Sequence, residues 1–296
     1  MNIYRHNNNL IGHADLVTCL LTLPNSELAS GSWDNSIIIW NLNNNLKKAQ
    51  LRGHSSWVWN LNLLKNGDLA SASEDHKIII WDLKSFRKKF SLIGHTNVTT
   101  SLEQLPNGDL VSGSDDKNII IWDLEKQTIK QKLIGHTDFI ISLKLISEDY
   151  FASCSEDKTI IIWDINKLNI KCKLEGHSNS VWSLALLPTG DLASSSVDKS
   201  IIIWNIIDFK MKAQLKGHKE WVTSIIALKD FYLASGSYDS TIIVWDLRNF
   251  RIKFKFEFNS VRIRSLALLE NEKIAIGFDD KVIKVYCLRI TNGVIE

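Results

Sequence analysis

The sequence predicts an all-β protein, a seven-bladed β-propeller with four antiparallel strands per blade, because three residue columns recur every 41 residues. Gly-His pairs recur at Gly12-His13, Gly53-His54, Gly94-His95, Gly135-His136, Gly176-His177 and Gly217-His218. Tryptophan recurs at Trp40, Trp81, Trp122, Trp163, Trp204 and Trp245. Aspartate recurs at Asp34, Asp75, Asp116, Asp157, Asp198, Asp239 and Asp280. Such a fixed interval is typical of repeat architectures, and its unbroken register predicts one domain over residues 1–296.

Four short strands are predicted within each unit, as the second unit illustrates. Its predicted strands are residues 57–64, 69–73, 77–81 and 87–92. The third of these, Lys77 to Trp81, is an unbroken β-branched run, which is typical of a strand buried on both faces. The fourth is more polar, and turn residues separate the runs. The prolines fit this pattern because they all fall in the first hairpin turn, at Pro24, Pro106 and Pro188.

The repeated residues resemble the WD-repeat β-propeller family. The resemblance rests on the Gly-His pair, on a Leu-Ala-Ser-Gly-Ser-like segment before each aspartate, and on Trp-Asp at the end of the third strand. Four units keep Trp-Asp, whereas Trp40-Asn41 and Trp204-Asn205 relax it. The resemblance covers essentially the whole chain. It implies a chain of hydrogen bonds from the Trp indole through a Ser hydroxyl and the His imidazole to the Asp carboxylate.

A serine column completes this implied network. It consists of Ser30, Ser71, Ser112, Ser153, Ser194 and Ser235. A buried indole needs a hydrogen-bond partner, which a hydroxyl can supply. Repeated Ser, His and Asp also fit a hydrolase triad. Because six triads in one domain make no catalytic sense and six structural clamps do, we predict no enzyme activity.

The seventh unit departs from the pattern. Phe258-Asn259 replaces Gly-His, Ile276 replaces the serine, Tyr286-Cys287 replaces Trp-Asp, and only Asp280 remains. Since the network partners are lost together, we predict that this blade is the least stable or is clamped in another way.

The outermost strand of blade seven has two candidates in the sequence. Residues 5–11 and residues 292–296 both align with that column. Val294-Ile295 has the better strand propensity, because three asparagines make a poor strand. The resemblance favours the N-terminal segment, near Asn8 to Ile11, beside Lys281 to Cys287.

Five tryptophans lie outside the repeated column, at Trp33, Trp57, Trp59, Trp182 and Trp221. In the WD-repeat family that the sequence resembles, the inter-blade loops and the turns after the second strand form a top face around the channel mouth. All five fall in three variable columns of that face: three and five residues after the His, and just before the repeated Asp. The predicted partner-binding set also contains Glu74, Asp115, Phe139, Glu156, Tyr238, Arg262, Arg264 and Asp279.

The aromatic members of this set run as an arc from blade five through six, seven and one to blade two. Aromatic residues and arginine dominate binding hot spots. Packing against the neighbouring blade most readily explains Trp59 and Trp182, and it least explains Trp33. We therefore predict a non-enzymatic scaffold or adaptor that holds a protein or short peptide on the top face, alone or within a larger complex.

The distribution of basic residues gives a second interpretation of the function. The six stretches after each repeated Trp hold 20 of the 35 Lys and Arg but only 8 of the 33 acidic residues. These stretches are the predicted outermost strands and the loops leading to them, and we call them the basic rim. A basic rim attracts nucleic acid or anionic surfaces. It also protects outer strands from edge-to-edge aggregation, which is the interpretation we favour. The stretches are residues 41–52, 82–93, 123–134, 164–175, 205–216 and 246–257.

The composition narrows the classes of partner, cofactor and cellular location that remain. A net charge of +2 does not indicate a nucleic-acid partner. Cys19, Cys154, Cys172 and Cys287 lack metal-ligand spacing, so no metal is predicted. The predicted scaffold function also implies no cofactor and no small-molecule substrate. No apolar run approaches the roughly 18 residues of a membrane span, and the N-terminus lacks the apolar core of a signal peptide. These features predict a cytoplasmic or nuclear protein.

Overall fold

The computed structural model describes residues 5–259, 261–288, 290–291 and 294–295. Every regular element within these residues is a β-strand. Seven antiparallel sheets of four strands each form the seven blades, which confirms the predicted propeller. A search of the described part of the chain finds no helix with the length and apolarity that a membrane crossing requires.

The strands follow one another in blade order. The chain begins with β1 (Arg5–Leu10). Blade one contains β2 (Val17–Leu23), β3 (Glu27–Ser32), β4 (Ser36–Asn41) and β5 (Leu46–Arg52). Blade two contains β6 (Val58–Leu63), β7 (Leu69–Ser73), β8 (Lys77–Asp82) and β9 (Arg87–Ile93). Blade three contains β10 (Thr99–Gln104), β11 (Leu110–Ser114), β12 (Asn118–Asp123) and β13 (Thr128–Ile134).

The remaining blades repeat this plan. Blade four contains β14 (Ile140–Leu145), β15 (Tyr150–Ser155), β16 (Ile160–Asp164) and β17 (Asn169–Leu174). Blade five contains β18 (Val181–Leu186), β19 (Leu192–Ser196), β20 (Ser200–Asn205) and β21 (Lys210–Lys216). Blade six contains β22 (Val222–Ala227), β23 (Tyr232–Ser237), β24 (Thr241–Asp246) and β25 (Arg251–Glu257). Blade seven contains β26 (Ile263–Leu268), β27 (Lys273–Phe278), β28 (Ile283–Cys287) and β1, and the chain ends with β29 (Ile290–Thr291) and β30 (Val294–Ile295).

The hydrophobic core lies between the blades. Each of seven clusters of buried side chains joins two neighbouring blades, and β26 of blade seven contacts β2 of blade one. The third strands are buried on both faces, as predicted: Ile78, Ile79, Ile80 and Trp81 are at most 2% exposed. The apolar runs of the sequence therefore supply the surfaces that hold adjacent blades together.

The N-terminal segment closes the ring, which confirms the assignment that the resemblance favours. Strand β1 pairs antiparallel with β28, with Leu10 opposite Ile283 and Asn9 opposite Lys284. Leu10 is 1% exposed and packs into the core cluster between blades seven and one. The competing residues 294–295 pair with β29 instead, and residues 292, 293 and 296 lie outside the described residues. One well-placed leucine thus anchors a segment that is otherwise rich in asparagine.

Candidate functional site

Blades one to six contain the same hydrogen-bonded clamp. In blade four, Trp163 Nε1 donates to Ser153 Oγ over 2.8 Å. His136 Nε2 lies 2.7 Å from that oxygen and its Nδ1 lies 2.8 Å from Asp157 Oδ2. The Nδ1–H can therefore donate to the carboxylate while the serine hydroxyl donates to Nε2. The equivalent residues make the same contacts in the other five blades.

These clamps offer no reactive hydroxyl. Ser153 is 0% exposed, and its oxygen is shared between the indole of Trp163 and the imidazole of His136. A catalytic serine must instead reach a substrate carbonyl. The Asp157 carboxylate also accepts the backbone N–H of Thr137, which ties the inter-blade loop to the turn after the second strand. The geometry is that of a structural clamp.

A second serine column, which the sequence analysis did not single out, supports the same loop. Ser155 Oγ donates to the carbonyl of Asp138 and accepts the backbone N–H of Asp157. The same pair of bonds is made by Ser32, Ser73, Ser114, Ser196 and Ser237. The spacing of 41 residues, two positions after the first serine, was the available signal.

The six clamp aspartates share a lowered pKa. Burial alone would raise the pKa of Asp116, but hydrogen bonds and Coulomb attraction from His95 hold it well below the usual range. The same balance lowers the pKa of Asp75 to about 2, and His13 and its counterparts lower the pKa of Asp34, Asp157, Asp198 and Asp239. Each clamp is therefore built around an ionised carboxylate.

We expect the melting temperature to fall steeply below about pH 4. A carboxyl group with a lowered pKa in the folded state takes up a proton on unfolding. Its contribution to stability is complete above the unfolded pKa of about 3.9 and is lost as the pH falls toward the folded value. Thermal unfolding followed by circular dichroism from neutral to acid pH measures this, and a melting temperature that stays level down to about pH 3 would contradict the clamp electrostatics.

An aromatic cluster takes the place of the clamp in blade seven. The Phe258 ring lies 5.3 Å from Phe278 and 5.4 Å from Tyr286, both in edge-to-face geometry. Glycine occupies the Phe258 position in the other blades, where a Cβ would meet the tryptophan ring at 2.9 Å, as at Gly135. Asp280 accepts the backbone N–H of Val282 instead of pairing with a histidine. Blade seven is therefore clamped in another way, as one of the two predictions stated.

Seven β-bulges, one in the first strand of each blade, contribute residues to the lining of the central channel. The first strand of every blade shifts register at the residue five after the His column. A bulge inserts an unpaired residue and re-aims its side chain. The bulge residues are Thr18, Trp59, Thr100, Ile141, Trp182, Thr223 and Arg264, and all seven line one cavity of about 420 Å³. Trp59 and Trp182 line the channel, as the binding interpretation predicted, and each also contacts a tryptophan of the neighbouring blade, as the packing interpretation predicted.

Backbone hydrogen bonds join the other two variable columns. The N–H of Tyr238 donates to the carbonyl of Trp221 over 3.0 Å. The equivalent bond occurs in every blade, between Trp33 and Leu16, Glu74 and Trp57, Asp115 and Val98, Glu156 and Phe139, Val197 and Ser180, and Asp279 and Arg262. Each blade thus presents two adjacent side chains on the top face.

Two groups of stacked aromatic rings flank blade seven. On one side, Trp33 stacks on Trp57 with centroids 3.9 Å apart, and Trp59 meets Trp33 edge-on at 6.3 Å. On the other side, Trp221 stacks on Tyr238 at 5.4 Å, and Trp182 lies 5.9 Å from Trp221. Trp221 is 37% exposed, whereas Trp33 is half-buried in its stack. Trp221 is therefore the more accessible anchor, and Trp33 is better packed than its position in a turn suggested.

Arg264 connects these two groups across blade seven. Its guanidinium lies 5.0 Å from the Tyr238 ring and 5.7 Å from the Trp33 ring, and its Nε donates to Asp279. The exposed Arg262 lies 5.2 Å from the Tyr238 ring. A continuous surface results, the aromatic arc, which consists of Trp182, Trp221, Tyr238, Arg264, Trp33, Trp57 and Trp59. Ring closure creates it, because blade seven lies beside blade one only in the folded chain.

The opposite side of the mouth is acidic. We call Glu74, Asp115 and Glu156, on blades two to four, the acidic wall; Phe139 lies beside the latter two in the cavity lining. Burial, followed by repulsion from Glu156 and other acids, raises the pKa of Asp115 to about 6. Burial and the charge of Asp138 raise the pKa of Glu156. Asp138 was not predicted as a site residue, although it directly precedes Phe139.

Ion pairs occupy much of the basic rim. Lys89, Lys130 and Lys212 lie 2.7–2.8 Å from Asp68, Asp109 and Asp191, respectively. Each pair joins the fourth strand of a blade to the residue that directly precedes the second strand of the same blade. These lysines therefore have local partners, which fits protection of the outer edge better than a surface for anions.

A family-model comparison supports the fold assignment. The model described as "WD domain, G-beta repeat" matches residues 5–41, 45–82, 86–123, 127–164, 168–205 and 209–246. Each match ends at the Trp-Asp or Trp-Asn of a third strand. Comparison with curated protein sequences found no match. Since the six matches cover well over half of the residues and the seven blades share one plan, the chain belongs to the WD-domain, G-beta repeat family of β-propellers.

Proposed function

We propose that this protein is a non-enzymatic scaffold that binds a protein or short peptide on its top face. Propellers of the WD-domain family commonly serve as protein-interaction scaffolds. The aromatic arc carries the proposal for this chain, because it gathers five tryptophans outside the repeated column, one tyrosine and one arginine on one side of the channel mouth.

The arc has the physical properties of a binding surface. Tryptophan and tyrosine offer large contact areas, and rings held in stacks lose little conformational entropy when a ligand binds. The backbone bond between Tyr238 and Trp221 fixes their spacing, and Trp221 remains accessible. Arg262 adds exposed hydrogen-bond donors beside the rings. An accessible aromatic patch of this kind is typical of interaction sites.

Replacing Trp221 with alanine should weaken binding of a partner peptide by about 30-fold, which corresponds to the hot-spot threshold of about 2 kcal/mol. A peptide would be selected by the wild-type protein from random short peptides displayed on phage, and its affinity measured by fluorescence anisotropy. Trp221→Ala removes an exposed ring, so the melting temperature should change little.

Two control variants separate the top face from the rest of the surface. Phe231→Ala removes an exposed aromatic ring from the turn between β22 and β23, at the opposite end of the strands. Lys88→Ala removes a rim charge on β9. Neither should change the affinity. If affinity instead follows Lys88 and falls steeply with added salt, binding through the basic rim replaces this proposal.

A further inference from the structure

Two carboxylates at the channel mouth lack a counter-charge. Asp115 and Glu156 lie on adjacent blades, are half-buried and line the same cavity. Neither side chain has a hydrogen bond or ion pair within the described ranges, whereas Asp279 pairs with Arg264 and Glu74 accepts a bond from Ser56. Like charges held together away from water cost free energy. Such groups concentrate at functional sites, where a ligand can supply the missing charge.

The cavity around these carboxylates suits an elongated side chain. Its volume of about 420 Å³ lies within the range of ligand pockets. Trp59, Phe139 and Trp182 contribute aromatic surface to its lining. The methylene stem of a lysine or arginine packs well against such rings while its charged end reaches a carboxylate.

The wall opposite the two carboxylates carries hydrogen-bond donors. In a ring of seven blades, blade seven faces the junction of blades three and four. Arg264 of blade seven lines the cavity, and within the described part of the chain only its Nε has a hydrogen-bond partner. The mouth therefore has an acidic side and a donor side that face each other.

We propose that the channel mouth takes up a basic side chain of the bound peptide, with its cationic group at Asp115 and Glu156 and a backbone carbonyl or carboxylate of the peptide at Arg264. This inference rests on the proposed function and adds the chemistry of the partner. The two sides fix the orientation of the peptide, since Arg264 repels a second cation and the acidic wall repels a carboxylate.

Binding should be coupled to release of a proton. The groups that face Asp115 are Glu74, Asp116, Asp138 and Glu156, and together with burial they raise its pKa to about 6. Asp138 is itself partly compensated by Lys117 at 3.7 Å. A cationic side chain favours the ionised form of Asp115, so affinity should be highest above about pH 7 and fall as Asp115 becomes protonated. At about pH 5 the affinity should be about tenfold lower than at pH 8, because only the ionised fraction binds well.

The test uses peptides that the wild-type chain, residues 1–296, selects from random short peptides displayed on phage. The selected peptides should share a lysine or arginine, and its replacement by glutamine should weaken binding at least about tenfold. Matched peptides with arginine, lysine or trimethyl-lysine at this position identify the preferred cation. Asp115→Asn and Glu156→Gln should each cause a similar loss, and Asp115→Asn should remove most of the pH dependence, since Glu156 remains.

Controls separate binding from folding and this inference from the proposed function. Glu148→Gln removes one negative charge from the opposite end of blade four and should leave affinity unchanged. Asp115→Asn relieves repulsion between acids, so its melting temperature should not fall. One outcome overturns this inference and leaves the proposed function standing: the peptides bind through Trp221 but share no basic residue, and their affinity is unchanged by Asp115→Asn and Glu156→Gln. Failure to select any peptide overturns both.

Discussion

Replacing Leu10 with alanine should lower the free energy of unfolding by about 2–5 kcal/mol, the usual cost of truncating a buried leucine. Leu10 is 1% exposed and packs in the core cluster that joins blades seven and one. It is also the residue through which β1 pairs opposite Ile283. The loss should be large because the substitution leaves a cavity at the seam where the two ends of the propeller meet.

Ile11→Ala is a matched control for this prediction. Ile11 is the next residue along the chain and is 71% exposed, so its truncation should change stability by no more than about 0.5 kcal/mol. Chemical denaturation of both variants and the wild type measures the difference. Equal losses of unfolding free energy at Leu10 and Ile11, or no loss at either, would show that β1 does not stabilise blade seven.

Much of the fold could be predicted because each blade repeats the same local requirements. An apolar third strand such as Lys77–Asp82 indicates burial on both faces. One hydrogen-bonded network is indicated by the repeated pattern of Trp163, Ser153, His136 and Asp157. Closure was harder to predict, because strand propensity disfavours Asn8 and Asn9. Burial of Leu10 against residues some 270 positions away decided it, and no local signal contains that contact.

The candidate site was harder to predict from the sequence than the fold, for two physical reasons. Trp59, Trp182 and Arg264 are each the extra residue of a bulge, and a bulge is a property of strand pairing rather than of residue type. The contact of Arg264 with Trp33 joins residues that meet only after ring closure. Sequence columns therefore identified the residues of the mouth, whereas tertiary pairing determined how they stack.

Blade seven shows how the ring holds together without a seventh clamp. Phe258, Phe278 and Tyr286 fill the space with aromatic contacts, and Arg264 connects Tyr238 of blade six to Trp33 of blade one. In a clamp, by contrast, removal of one member leaves another buried polar group without its partner, which is costly. The histidine clamps should therefore be the more sensitive elements of the propeller.

His136→Ala or Asp157→Ala should each lower the free energy of unfolding by about 1–3 kcal/mol, the cost of leaving buried polar groups without partners. Without His136, the Ser153 hydroxyl loses its acceptor and the Asp157 carboxylate loses its main donor. The double variant should lose less than the sum of the two single losses, because both substitutions break the same hydrogen bond. Urea denaturation of the four proteins in this cycle measures the coupling.

Asn259→Ala provides the matched comparison in blade seven. Asn259 occupies the position of the histidine, but it is exposed and follows Phe258, whose ring contacts replace the clamp. Its substitution should therefore cost clearly less than that of His136, within the roughly 0.5 kcal/mol typical of surface changes. Equal losses at Asn259 and His136 would mean that the hydrogen-bonded clamp contributes nothing beyond the loop itself. Additive losses in the His136 and Asp157 cycle would mean that the two side chains act separately.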